Sequence, residues 1–196
     1  MKILILASHP DDAEIGCGGT IAKHIAKGDK VKIVYVTSGE KGGDPRIREQ
    51  ESKKAAKILG VNDLEFWHFK DNELELEDER LKSKILIMIA KNYDLLYSPS
   101  YNESHKDHRR LALCIKDLWE RFLLKRFSFY EVFPGLPIIK AENCVDITPY
   151  IDLKIKALKC FKSQKLNLAE AYRCLARFRG IFTGVGEYVE AFMPYE

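Results

Sequence analysis

Short apolar runs alternate with longer amphipathic stretches through the first two-thirds of the chain. Ile3-Leu4-Ile5-Leu6-Ala7 is apolar at every position, the pattern of a parallel strand buried on both faces, and predicts a strand over residues 2–8. The glycine-rich stretch beyond it leads into a helix over about 16–27, closed by Gly28. A second strand is predicted over 31–36, followed by a flexible loop from Thr37 to Pro45. Ala55, Ala56, Ile58 and Leu59 give the helix over 47–59 an apolar stripe, which Gly60 ends. A third strand over 64–69, a helix over 78–91 and a fourth strand over 95–98 follow. A helix over 107–124 and a fifth strand over 127–133 complete the regular part. Beyond Pro134 the pattern loosens into helices over 150–164 and 169–179 and a strand over 188–193.

Such alternation predicts an α/β fold, a single Rossmann-like three-layer α/β/α domain over residues 1–196. Residues 1–133 form its core and 134–196 a smaller C-terminal extension. Right-handed crossovers make the sheet mostly parallel, in an order of about 3-2-1-4-5. That order sets strands one and four side by side at the switch point, so the loops after them share one crevice.

Bulk numbers narrow the function. With 32 Lys and Arg against 29 Asp and Glu, the net charge of +3 is scattered and leaves no footprint for nucleic acid. Five cysteines, at 17, 114, 144, 160 and 174, include no Cys-x-x-Cys pair, which excludes a disulfide framework and suits a reducing interior. No secretory signal is read at the start, and the run from Ile85 to Ala90 is far below a membrane span. A soluble cytoplasmic protein is expected.

Chemistry concentrates in two turns. His9-Pro10-Asp11-Asp12-Ala13-Glu14 follows strand one and precedes Gly16-Cys17-Gly18-Gly19. Pro10 holds His9 extended, so His9 finishes the strand. The turn offers an imidazole and two carboxylates, each able to ligate zinc; consecutive aspartates point apart, which leaves one free for proton transfer. A plain helix cap is the alternative use of Asp-Asp. After strand four comes His105-Lys106-Asp107-His108, whose two histidines, three apart at a helix start, can face one crevice. Asp107 suits a helix N-terminus and can also accept from a neighbouring imidazole.

The paired motifs resemble the zinc-dependent N-acetylglucosaminyl deacetylase family, also called LmbE-like or PIG-L. Thr37-Ser38-Gly39-Glu40, Arg48-x-x-Glu51, Lys159 to Gln164 and Glu190-Ala191-Phe192 resemble its weaker signatures. The resemblance implies one zinc ion per chain, held by His9, Asp12 and His108. Two histidines and a carboxylate with one position open is also a standard catalytic zinc set. By the same resemblance Asp11 is the general base, and His105, paired with Asp107, is the cation that faces the oxyanion. Arg48 is expected to hold substrate hydroxyls, an exposed helix-start arginine being the alternative. Glu14 braces the first turn. His24 is a helix-face residue, His68 lies near the rim, and Cys17 packs. Some relatives carry a tyrosine two residues before the first histidine of His-x-Asp-His; Glu103 stands there, with Tyr101 upstream.

The expected activity is metal-dependent hydrolysis of an N-acetyl group on a small amino-sugar substrate, in a chain that can form trimers or hexamers as relatives do. Two other classes compete. A nucleotide- or sugar-binding module could place phosphate on the glycines at a helix N-terminus. A metal-dependent phosphoesterase would want more carboxylates than Asp11 and Asp12.

Overall fold

The computed structural model describes residues 1–122, 126–133, 143–164 and 167–194. Strands β1 (Lys2–Ala7), β2 (Lys30–Thr37), β3 (Asp63–Phe69), β4 (Leu95–Pro99) and β5 (Phe127–Tyr130) are parallel; β6 (Cys144–Asp146) and β7 (Val189–Pro194) complete the sheet. The order is β3-β2-β1-β4-β5-β7-β6, which contains the expected 3-2-1-4-5. β1 lies in the centre, with Ile3 beside Val31 on one flank and Leu95 on the other.

Period-two alternation explains why β1 is apolar throughout. Ile3, Ile5 and Ala7 join one core with Ile21, Tyr35 and Tyr130. Leu4 and Leu6 join the opposite core with Val36, Leu81, Leu111 and Phe129. Helices α1 (Asp12–Ala26), α2 (Pro45–Ile58), α5 (Ile151–Leu158) and α6 (Leu168–Thr183) accompany the first core, whereas α3 (Asp78–Ile89) and α4 (Lys106–Phe122) cover the second.

The C-terminal segment extends the same sheet, because β7 pairs antiparallel with β5 and β6 with β7. β6 has no counterpart among the expected elements; three residues are too short for a periodic signal. The fifth strand stops at Tyr130 rather than Phe133, since the Glu103 carboxylate takes the amides of Val132 and Phe133 out of the ladder. The expected helix over 150–164 is α5 alone, with Lys159 to Gln164 in turns. Asn167 caps the start of α6 through its side chain, and Gly184, left-handed at φ 67°, closes its end. Residues 123 and 124 of the expected fourth helix, and the rim segment 134–142, lie outside the described residues.

The first helix begins at Asp12, four residues earlier than its glycines suggest, and breaks at Cys17 (φ −141°, ψ 23°). A buried ion pair repairs the break. Lys154 donates to the Ile15 carbonyl and to Glu190, both at 2.6 Å. Glu190 in turn accepts from the amides of Gly19 and Thr20 at 2.9 and 2.7 Å. The Ile15 carbonyl and the Gly19 and Thr20 amides so have side-chain partners at the kink. Gly16 is required there: a Cβ would stand 2.0 Å from the Tyr130 ring, whose hydroxyl is bonded to Leu6 of β1.

Candidate active site

Three loops at the carboxyl edge converge as the topology demands. His9 follows β1, Asp71 follows β3, and Asp107 and His108 open α4 after β4. His9 Nδ1 lies 3.1 Å from His108 Nε2 and 3.3 Å from an Asp12 oxygen, which is itself 3.1 Å from His108 Nε2. Ligand atoms about 2.0–2.1 Å from a tetrahedral zinc stand about 3.3 Å apart. These three donors therefore fit one tetrahedral face around a cation.

The other edge of the His9 ring is held by carboxylates. Nε2 lies 3.1 Å from Asp71 and 3.4 Å from Asp107. Both aspartates are anchored, Asp71 by the Lys41 amide and Asp107 by the Asn72 amide. Among the described residues, His9, Asp71 and Asp107 also form a candidate ligand group, as do His9, His105 and His108. Their fixed geometry makes the two aspartates orienters of His9, which leaves Nδ1 facing Asp12 and His108.

Asp11 stands beside the cluster in a strained conformation, φ 130°, which a non-glycine residue adopts only when its surroundings impose it. Arg48 imposes it: its guanidinium donates to the carbonyls of Pro10 and Gly39, both at 2.8 Å, and to the Asp11 carboxylate at 3.1 Å. Arg48 is thus buried, 4% exposed, and not a solvated helix-start residue. Most of its donors are committed to the protein, so it braces the turn from the cavity wall.

A family model described as "GlcNAc-PI de-N-acetylase", PIG-L, matches residues 4–119, more than half of the chain. The chain belongs to the PIG-L family. Diacetylchitobiose deacetylase of Thermococcus kodakarensis is 28% identical over 93% of this chain and 79% of its own length. A probable N-acetyl-α-D-glucosaminyl L-malate deacetylase of Bacillus anthracis is 29% identical over 83% and 80%. The solved N,N'-diacetylchitobiose deacetylase of Pyrococcus horikoshii superposes with a TM-score of 0.82 at 28% identity, covering 99% of this chain and 83% of that one.

Within this PIG-L site the charges are strongly coupled. Burial pushes the Asp11 carboxyl up to about 7, with Arg48 opposing and Asp12 reinforcing the rise. For His108, burial disfavours the charged ring, but Asp12 and Glu103 together outweigh it and raise the group to about 9. His9 is raised against its burial by Asp12, Asp107 and Asp71. Asp12 is held low, also against burial, by His108 and His9. His105 is lowered by burial and by the two neighbouring imidazoles.

That last shift joins a correction. Asp107 does not pair with His105 through its carboxylate, which goes to Asn72 and His9. Instead the Asp107 amide donates to His105 Nδ1 at 3.3 Å, which puts the proton of a neutral ring on Nε2. The ring packs edge-on against His9, centroids 4.5 Å apart.

Other residues keep structural duties. Glu14 accepts from Tyr35 at 2.6 Å and is raised to about 8 by burial. His24 bridges Asp29 and Tyr97, His68 meets Ser38 at the rim, and Cys17 donates to the Ala13 carbonyl in the core. Glu103, in the place of the tyrosine, ties the loop after β4 to Val132 and Phe133. Sequence reasoning missed Asp71, although its position two residues beyond β3, on the same sheet edge, is the available signal. His9, Asp11, Asp12, Arg48, Asp71, His105 and His108 all line one cavity of about 490 Å³.

Proposed function

We propose that this chain is a zinc-dependent deacetylase that removes the N-acetyl group from a small N-acetylglucosamine-containing substrate. The observation that carries this reading is the three-donor face of His9, Asp12 and His108, opening beside Asp11 onto a cavity of substrate size. Zinc held there would supply Lewis acidity toward the acetamide carbonyl and water acidified to near neutrality.

The protein groups divide the remaining work. Asp11 takes the proton of the attacking water and returns it to the sugar nitrogen as the C–N bond breaks, so acetate and a free amine leave. Its elevated pKa suits a group that must both accept and donate near pH 7. Arg48 fixes the direction of that carboxylate. His105 offers its Nε2 proton to the oxyanion. Asp71 and Asp107 hold the His9 ring.

The binding-module reading is disfavoured because the amides of Gly19 and Thr20, which a phosphate would need, already serve Glu190. All five cysteines are free. Among the described residues no helix is long and apolar enough to cross a membrane.

The test is release of free amine from a panel of N-acetylated sugars, lost on chelation and restored by zinc. Asp11→Asn is expected to keep stoichiometric zinc while turnover falls at least about 100-fold. Wild-type turnover in that variant would remove Asp11 from the mechanism.

A further inference from the structure

The cavity has two unlike flanks. The order β3-β2-β1-β4-β5 puts the loops after β2 and β3 on one side of the ligand cluster and the chain leaving β5 on the other. The first flank is polar, with Lys41, Arg48 and Asn72. The second is built from Val132, Phe133, Leu168, Ala171 and Leu175, with Ile15 of α1. Leu168, Ala171 and Leu175 follow i, i+3, i+7 spacing and form one stripe of α6. The core takes up only part of that stripe: Leu168 is buried in it and Leu175 is half-buried against it, whereas Ala171 is exposed and all three face the cavity.

The side chains of the stripe itself carry no polar atom, and the hydroxyl and the amide oxygen nearest to it are engaged. The Tyr172 hydroxyl donates to the Val132 carbonyl, and the Asn167 side chain caps the Glu170 amide. Sugar hydroxyls pressed against this wall would leave water and find no partner, which is costly. Phe133 remains 43% exposed, and its ring lies nearly parallel to His108 at 6.1 Å between centroids. Apolar surface therefore begins next to the ligand cluster and runs outward along α6.

Resting on the deacetylase reading, we propose that the substrate carries an apolar substituent that lies along Val132, Phe133, Leu168, Ala171 and Leu175. Such a group can be attached in two places, as an alkyl or aryl aglycone or as an N-acyl chain longer than acetyl. Both offer the wall the same chemistry.

Two substrate series separate them: methyl to hexyl glycosides of N-acetylglucosamine, and N-acetyl to N-hexanoyl forms of methyl glucosaminide. Each methylene buried against the wall should raise kcat/KM about twofold to fourfold. At least a tenfold rise from first to last member is expected in one series, and that series names the attachment point. Ala171→Asp, at an exposed position, and Leu175→Ser should each cut that long-to-short ratio several-fold, with thermal unfolding monitored to verify the fold. Flat ratios in both series, with the acetylated sugars still cleaved, would overturn the proposal and leave the deacetylase reading intact. If nothing is cleaved, calorimetry with Asp11→Asn decides: tenfold tighter binding of a hexyl than of a methyl ligand supports the wall, and equal binding rejects it.

Discussion

Two of the clusters of buried charge among the described residues are built on opposite principles. At the break in α1, Lys154 and Glu190 are each 3% exposed in their side chains and meet at 2.6 Å. Their remaining capacity goes to the Ile15 carbonyl and the Gly19 and Thr20 amides. One positive charge meets one negative, and the donors meet acceptors. At the mouth of β1, by contrast, Asp11, Asp12, Asp71 and Asp107 are all buried around a single permanent cation, Arg48, and three imidazoles. His9 and His108 are raised only because carboxylates press on them, and His108 Nδ1 and Arg48 Nε are buried without a hydrogen-bond partner. The first cluster is complete as it stands. The second balances its carboxylates only with protons on His9 and His108 that a bound cation would displace, which distinguishes a site from a strut.

The sharpest test of that difference is removal of the proposed metal. Chelation should abolish amine release and lower the unfolding temperature, because an ion at 1,000 times its Kd contributes about 4 kcal/mol to the folded state. His108→Ala should lose stoichiometric zinc, read by elemental analysis. Full zinc content in that variant would break the comparison at its root.

The strut should respond to one-sided damage instead. Glu190→Ala leaves Lys154 buried without its counter-charge and two amides uncapped, at a cost of about 3–5 kcal/mol in urea unfolding. Lys154→Met combined with Glu190→Gln removes both charges and keeps an acceptor for the amides. It should be less destabilising than Glu190→Ala alone. Zinc content should stay stoichiometric in the double variant, since the pair touches none of the ligands.

Arg48 joins the two styles, being a structural fork that grips the proposed general base. Arg48→Lys keeps the charge but cannot reach Gly39, Pro10 and Asp11 together. Loss of charged hydrogen bonds worth about 1.5–3 kcal/mol predicts a fall of about 10- to 100-fold in kcat/KM. Unfolding should move less than for Glu190→Ala.

Much of this was legible beforehand, for identifiable reasons. β1 announced itself because a strand buried on two faces has no polar positions, and the topology then followed from strand–helix alternation. That His9, Asp12 and His108 meet at one sheet edge was legible because their residue types stand at the carboxyl ends of two strands that the order makes neighbours. What escaped was whatever acts through shape. Asp71 is a lone aspartate in a loop until the sheet brings it to His9. The start of α1 at Asp12 was hidden by glycines that normally delay a helix, and its break is stabilised by Lys154 and Glu190, more than 130 residues away. The partner of Asp107 was misread because neighbours along a chain need not face each other; its carboxylate turns to His9 and Asn72 while its amide meets His105.

The smallest effect belongs to a third kind of pair, balanced but wet. Asp78, at the start of α3, accepts from Arg110 Nε at 2.7 Å and Cys114 Sγ at 3.0 Å and pairs with Lys82 at 3.1 Å. Burial is the largest single influence and raises the carboxyl, but Arg110, Cys114 and Lys82 together outweigh it and lower the group from 3.8 to about 2. A depressed folded pKa means that the unfolded chain binds the proton first. The contribution of Asp78 is therefore full above the unfolded value, near 4, and is lost as the pH falls toward 2. Solvent screening holds it under about 1 kcal/mol. Asp78→Asn should flatten the pH dependence of urea unfolding between about pH 4 and 2 and leave amine release at neutral pH unchanged. An unaltered acid slope would mean that water already does for Asp78 what Arg110 does, and would confine structural ion pairing in this fold to its dry interior.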